Sequence, residues 1–430
     1  MLDEFRLTKK QAEYIREGNH RWNVSCGAVR SGKSYLQVSY LIPQRMMERK
    51  DKRGLIVLMG ATRSNIERNL LQPIRDIYGE TAATDISAKN YTKIFGIKAY
   101  CVGADNVRQV AKIRGSEISY CAVDEVTDLN EEVFAMLKSR LSLPWSCCDI
   151  TTNPGRPTHW FKRFLDSKDQ GVDIFLQEYT IYDNPFLPID YVHNLEAEYR
   201  GTVWYDRYIL GRWTLAEGLV FPRFSECLED TFLGPHEEYA ISVDYGTSNP
   251  FAALLWARNG PTWHAIREYY YSGRETGVQK TDGEYLDDLE EFAQPAIEAI
   301  NRRNAAQRDR WGFYTPEVER IPVIIDPSAA SFVALLRQSE MFRPKSANND
   351  VLNGIRDTSS AMHNGIIRVS RDCQHWLQEA QSYVWDPNGG EDRPVKENDH
   401  LMDATRYFVK TMRLVRPIDT WSLPSRTRGD

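Results

Sequence analysis

No stretch of this 430-residue chain stays apolar for the roughly 20 residues that a membrane-crossing helix needs. The longest apolar runs, Leu55–Ala61 and Phe251–Ala257, have the length of buried strands. Met1–Arg16 mixes acids and bases without an apolar segment, so no secretory leader is expected. Cysteine is sparse: seven residues, an odd number, with Cys147 beside Cys148 and no C-x-x-C spacing. That argues against a disulfide framework or a thiolate metal site and predicts small, buried, reduced thiols. An excess of positive charge is also missing. Lys and Arg total 54 against 60 Asp and Glu, a net charge of -6, so any nucleic-acid contact must be local rather than spread over the surface. No internal repeat or low-complexity block is present. What remains is a globular composition, 42% hydrophobic and 27% charged, in a chain long enough for two domains.

The first half reads as strands alternating with helices. Strands are expected at Asn23–Cys26, Leu55–Met59, Ile118–Val123 and Cys148–Thr151, with a hairpin or strand over Ile94–Val102. Helices are expected at Lys33–Glu48, Asn65–Ile77 and Glu131–Leu141, and this alternation predicts a parallel sheet covered on both faces. Between Tyr205 and Pro235 the texture turns polar and is punctuated by Gly and Pro. The expected division is a first domain over 1–215, a linker over 216–238, a second domain over 239–412 and a flexible tail over 413–430. In the second domain, strands Tyr239–Asp244, Phe251–Ala257 and Trp263–Tyr271 come first. Helix 285–303, strand Ile321–Asp326 and helices Ser331–Ser339 and His400–Met412 follow, predicting a second α/β unit with a mixed sheet.

Gly27-Ala28-Val29-Arg30-Ser31-Gly32-Lys33-Ser34 fits G-x-x-x-x-G-K-[ST] without a mismatch, between a strand and an amphipathic helix. The glycines let backbone amides curl around phosphate oxygens, Lys33 suits the β- and γ-phosphates, and the Ser34 hydroxyl suits Mg²⁺. The helix dipole favours the same anion. The motif therefore predicts a P-loop ATPase domain with ATP as cofactor. Strand Ile118–Val123 ends in Asp124-Glu125, one acid to hold the metal's shell and one to polarise the attacking water. Gln11 can offer a donor and an acceptor to an adenine edge, or be an ordinary surface side chain. Thr152 and Asn153, at the carboxyl end of a strand, could sense the γ-phosphate or simply form a turn. Arg30 could reach phosphate or serve as an arginine finger, with a structural salt bridge as the alternative.

In the second domain Asp244 and Asp326 each end an apolar strand, and Asp403 lies on the last helix with His400 three residues earlier on the same face. Two divalent ions about 4 Å apart need several oxygen ligands to cut a phosphodiester. Strands ending in Asp are nevertheless common in a chain with 60 acids.

At this point the chain resembles the large subunit of the terminase of tailed double-stranded DNA bacteriophages, in the branch typified by PBSX-like prophages and related Bacillus phages. The resemblance rests on serially ordered features. They are Gln11, the P-loop 27–34, Ala122-Val123-Asp124-Glu125, Thr151-Thr152-Asn153-Pro154 and Tyr205-Asp206-Arg207-Tyr208-Ile209-Leu210-Gly211-Arg212-Trp213. Val243-Asp244-Tyr245-Gly246, Ile325-Asp326 and Asp399-His400-Leu401-Met402-Asp403-Ala404 complete the series. It implies an amino-terminal ATPase that drives double-stranded DNA through the portal into the procapsid. A carboxyl-terminal nuclease of RNase H-like fold, binding Mg²⁺ or Mn²⁺ through Asp244, Asp326 and Asp403 beside His400, is implied with it. Glu268 and Asp399 are further candidates for that site. Also implied are a small terminase subunit as partner, a homo-oligomeric ring on the portal with a monomer in solution, and action in the host cytoplasm, away from membranes. Arg156, His159, Lys162, Arg163, Arg343 and Lys345 are candidates for DNA contact, each weighed against a solvated surface. The competing reading is a helicase-like or repair ATPase fused to a nuclease without a capsid partner.

Overall fold

The structure, a computed structural model, describes residues 7–106, 108, 113–230, 234, 236–246, 250–311, 320–388 and 391–415. It divides into two compact units, one ending at Ala216 and the other beginning at Glu217. Most of the expected tail (416–430) lies outside the described residues.

The first unit is built on seven strands: β1 (Trp22–Gly27), β2 (Leu55–Gly60), β3 (Tyr91–Ile94), β4 (Ile97–Gly103), β5 (Ile118–Val123), β6 (Cys147–Thr152) and β7 (Ile174–Tyr179). They lie in the order β3-β4-β2-β5-β6-β1-β7, parallel except for the β3–β4 hairpin. Because β1, β5 and β6 are buried along their whole length, their alternate residues feed two cores. Val57, Met59, Cys121 and Val123 pack on one face with Phe134 and Phe161. Ile56, Leu58, Tyr120 and Ala122 pack on the other with Ile42, Ile66 and Leu70.

The helix after β1 runs from Lys33 to Arg49 with a π-helical turn at Gln37–Leu41. Pro43 follows that turn and has no N–H to give the Ser39 carbonyl four residues back. The Tyr78 hydroxyl donates to that carbonyl instead. The helix over 63–78 repeats the device, with its π turn at Glu67–Leu71 just before Pro73.

The second unit holds β8 (Leu228–Glu229), β9 (Glu238–Asp244), β10 (Phe251–Asn259), β11 (Thr262–Tyr271), β12 (Ile321–Ile325), β13 (Phe342–Ser346) and β14 (Ile367–Ser370). Their order is β13-β12-β9-β10-β11-β14-β8; β9, β10 and β11 are antiparallel neighbours and the outer pairs are parallel. Helices Asp282–Trp311 and Ala330–Gln338 cover one face through Tyr285, Leu289, Phe292, Phe332 and Leu336. On the other, Trp256 of β10 stacks on Phe408 of helix His400–Met412 at 4.2 Å between ring centres. The stretch read as a linker contributes to this unit: Leu228 and Glu229 pair with Val369 and Ser370. All seven cysteines are free and buried, as their spacing predicted. No helix among the described residues is long and apolar enough to cross a membrane.

Candidate active sites

In the first unit the P-loop joins β1 to its helix at the carboxyl edge of the sheet. Two glycines are dictated by space. A Cβ on Gly27 would lie 2.0 Å from the Tyr179 carbonyl oxygen, and one on Gly211 (φ +70°) would lie 2.1 Å from the same atom. Gly211 therefore lets the Tyr205–Trp213 segment lie against the loop, where the Val29 N–H donates to the Tyr208 carbonyl (3.2 Å). Gly32 holds φ +93° and Arg30 φ +55°; the Asn184 carboxamide donates to the Arg30 carbonyl (2.7 Å). The Arg30 guanidinium lies 5.5 Å from the Tyr191 ring centre. Ser31 donates to the Ala28 carbonyl (2.9 Å), and Ser34 opens the helix beside Lys33.

The Lys33 ammonium donates to the carbonyls of Gly27 (3.0 Å) and Ala28 (2.5 Å), to the Ser31 hydroxyl (3.3 Å) and to Asn153 Oδ1 (3.2 Å). Burial lowers its pKa, while Glu125 and Asp124 pull the other way. Asp124 and Glu125 follow β5. Asp124 accepts from Asn69 Nδ2 (2.8 Å) and Thr151 Oγ1 (3.3 Å), and burial raises its carboxyl. Glu125 sits at φ +48°, a strained conformation for this residue type. Its Oε1 accepts from the Asn153 N–H (2.5 Å), with the Thr152 hydroxyl at 3.5 Å. Burial, then Asp128, push its carboxyl up to about 8. Lys33, Asp124, Glu125, Thr152 and Asn153 thus form one cluster. It presents a cation and loop amides to an anion and two carboxylates to a divalent ion, a donor set suited to a nucleotide triphosphate with Mg²⁺.

Gln11 is buried, so it is not the ordinary surface side chain that was its alternative reading. Its Oε1 accepts from the Thr8 N–H (2.8 Å) in a capping box, and its Nε2 donates to the Gly32 carbonyl (2.8 Å). Both ends of the carboxamide are engaged, and the side chain braces the P-loop. Sequence reasoning missed Gln37, which donates to the carbonyls of Val123 (3.1 Å) and Asp149 (3.3 Å) and accepts from Thr151 Oγ1 (3.2 Å). It ties the P-loop helix to β5 and β6. A polar residue inside a helix gives no sequence signal that its partners lie on two strands.

In the second unit Ile325 of β12 is paired with Val243 of β9, so Asp244 and Asp326 leave adjacent strands side by side. Helix His400–Met412 packs on the same sheet and brings His400 Nδ1 to 2.8 Å from Asp244 Oδ2. Burial and Asp403 raise the Asp244 carboxyl, although the His400 contact opposes them. Burial alone would lower the His400 pKa, but Asp244 outweighs it and holds the ring toward its protonated form. Asp403 Oδ2 meets the Lys396 ammonium at 3.1 Å, and its Oδ1 meets Arg406 at 3.0 Å. Asp326 accepts from the Ser328 N–H (2.7 Å) and from Asn349 Nδ2; burial raises its carboxyl, but these bonds outweigh it and the pKa falls. Burial first, then the charges of Asp403 and Asp244, push the Tyr407 phenol up.

Among the described residues, no three His, Cys, Asp or Glu side chains converge closely enough to hold a metal ion as they stand. Asp244 and Asp326 leave neighbouring strands and Asp403 lies on the helix packed over them, but each carboxylate is turned to its own donor, Asp244 to His400, Asp326 to Asn349 and Asp403 to Lys396 and Arg406. Asp244 and Asp326 at the strand ends and Asp403 on the helix offer carboxylate oxygens, the donor type that suits a hard divalent cation. Glu268 is engaged elsewhere: it accepts from the N–H groups of His375 (2.9 Å) and Trp376 (3.0 Å), holding the start of helix Gln374–Ser382. Glu379, which the sequence did not single out, accepts from the Leu401 (2.6 Å) and Met402 (3.2 Å) N–H groups and so fixes the helix carrying His400 and Asp403. Burial pushes its carboxyl up to about 7.

Among the residues expected to face DNA, Arg156 is buried, and His159 caps helix Trp160–Asp166 by accepting from the Phe161 N–H (3.1 Å). Lys162 pairs with Asp166, and Arg163 donates to the Thr158 carbonyl. Arg343 and Lys345 are exposed on edge strand β13 beside β12.

Residues 25–227 match the family model of the T4likevirus-type terminase large subunit N-terminal domain, and residues 317–411 match that of the terminase RNaseH-like domain. The terminase large subunit of Escherichia phage T5 is 24% identical over 421 residues, spanning 92% of this chain and 87% of that protein. The large terminase of a thermophilic bacteriophage, solved in complex with ADP, is 32% identical. The alignment covers 95% of this chain and all of that one at a TM-score of 0.79. A second crystal form of the same thermophilic phage protein gives a TM-score of 0.81 at the same identity and coverage. The RNase H-like reading of the mixed second sheet and the ATPase reading of the parallel first sheet agree with these matches, and the chain belongs to the large terminase subunit family of tailed phages.

Proposed function

We propose that this chain is a DNA-packaging motor: ATP hydrolysis in the first unit drives double-stranded DNA through the portal into the procapsid, and the second unit cuts the concatemer. The observation that carries this reading is a pair of separate acidic centres in one chain. One is Asp124 and Glu125 against Lys33 and Asn153; the other is Asp244, held by His400, with Asp403 on the same helix as that histidine. The P-loop amides, Lys33 and Ser34 hold the nucleotide phosphates, with Ser34 and Asp124 on the metal side. Glu125, with Oε1 fixed by the Asn153 N–H, is placed to polarise the attacking water. Thr152 and Asn153 then report the change at Glu125 to β6, and Gln37 carries the same strand to the P-loop helix.

In the second unit Asp244, Asp326 and Asp403 would hold Mg²⁺ or Mn²⁺, and the ion would supply charge stabilisation for phosphodiester cleavage. His400, anchored through Nδ1, leaves Nε2 to carry a proton at the cut. Partners are DNA, the portal of the procapsid and a small terminase subunit, with the chain assembled as a homo-oligomeric ring on the portal in the host cytoplasm. The serial motifs from Gln11 to Asp403 support placement in the PBSX-like branch. The helicase-like alternative is not favoured, because both halves match terminase models. The test is plasmid nicking under Mn²⁺ together with ATP turnover. Asp244→Ala should abolish nicking with turnover intact, and turnover should rise with procapsids more than with single-stranded DNA. Equal nicking by wild type and Asp244→Ala sinks the nuclease reading; stimulation by single-stranded DNA alone sinks the packaging reading.

A further inference from the structure

Two cations hold the carboxylate of Asp403, and they differ in kind. Arg406 is itself buried, 2% exposed, and is wedged over Gly354, where an added Cβ would lie 2.7 Å from Arg406 Cγ. Its guanidinium also reaches the Asp350 carbonyl (3.4 Å). It is a fixed part of the wall. Lys396 is 61% exposed and extends inward from the residues preceding the helix, placing one ammonium 3.1 Å from Asp399 Oδ2 and 3.1 Å from Asp403 Oδ2. Those two acids are only 9% and 8% exposed. The chain thus carries a solvent-anchored cation whose head bridges two buried carboxylates.

We propose that Lys396 is a tethered counter-ion of the nuclease centre, which a divalent cation must displace from Asp403 before the acids can act as its ligands. The inference rests on the reading of Asp244 and Asp403 as metal ligands. Two nearly buried carboxylates beside Asp244 repel one another unless a positive charge stands between them. Arg406 alone covers one oxygen of Asp403, and Lys396 covers the other and Asp399 as well. Because the lysine stem is exposed, its head can leave without opening the core, whereas Arg406 cannot move without unpacking from Gly354. The ammonium therefore weakens divalent binding at rest, which restrains cutting until metal and DNA arrive together.

The experiment is Mn²⁺ titration of the full-length protein without nucleotide, followed by electron paramagnetic resonance, on wild type, Lys396→Met, Lys396→Arg and Asp244→Asn. An ion pair with one exposed partner is worth about 1 kcal/mol, so Lys396→Met should bind Mn²⁺ about fivefold more tightly. Lys396→Arg keeps the charge and should bind as wild type does. Thermal melts in chelator should show Lys396→Met less stable than wild type, with Mn²⁺ closing the gap. Equal or weaker Mn²⁺ binding by Lys396→Met, with binding still lost in Asp244→Asn, overturns the role of Lys396 and leaves the metal site standing. No Asp244-dependent binding in any variant overturns both.

Discussion

Replacing Glu125 with Gln tests whether this buried acid holds a proton near neutrality. In the folded chain its carboxyl is pushed up to about 8, from an ordinary 4.5, by burial and by Asp128. Between those values the folded state keeps a proton that the unfolded chain has lost, so wild-type stability falls as pH rises through the window. One proton is worth about 1.4 kcal/mol per pH unit, which sets a ceiling of about 5 kcal/mol across it. Relaxation and water around a buried acid reduce that ceiling, so about 2 kcal/mol is the expected effect. Gln keeps the oxygen that accepts from the Asn153 N–H and removes the titration. The variant should match wild type at pH 5 and exceed it by about 2 kcal/mol at pH 8, roughly 4–8 °C in the melting of a unit this size. Differential scanning calorimetry of both proteins without nucleotide, at four pH values, measures this. A gap that does not change with pH, or one that grows in favour of wild type, refutes the argument. The same variant should bind ATP and lose turnover by about a hundredfold or more.

Two further outcomes follow from the geometry. Lys33→Ala should abolish ATP hydrolysis while Mn²⁺-dependent nicking persists; parallel loss of both activities in a folded variant, seen in paired turnover and nicking assays, would contradict separate centres. Arg45→Met should cost about 3–5 kcal/mol in chemical denaturation, because Asp149 is 1% exposed and keeps only the Tyr14 hydroxyl (3.1 Å) and Tyr120 for company. Adding Asp149→Asn should recover most of that loss, and failure to recover would place the damage in packing rather than in the stranded charge.

Elements with strong apolar runs or clear periodicity were legible. Strand Ile118–Val123 and helix His400–Met412 have the bounds that the sequence suggested. Strand β7 was missed, as were β13, whose Arg343 and Lys345 are exposed, and β14, only four residues long; their pairing depends on neighbours distant in the chain. The P-loop and the acids after β5 were readable because consecutive residues make that site. Glu379 was not, since its contact with the Leu401 N–H spans 22 residues and carries no local signature.

The amino-acid sequence alone determined two α/β units, a phosphate-binding loop with its acids, and the residue types available to a second acidic centre. Those properties reside in local patterns: the period of burial, the steric freedom of glycine, and charge at strand ends. Only the tertiary structure decided that Gln11 braces the loop, that Glu268 caps a helix, and that Asp403 rests between a fixed arginine and a removable lysine. Such choices depend on which donor packing brings to each buried carboxylate or carboxamide, and desolvation makes that choice obligatory.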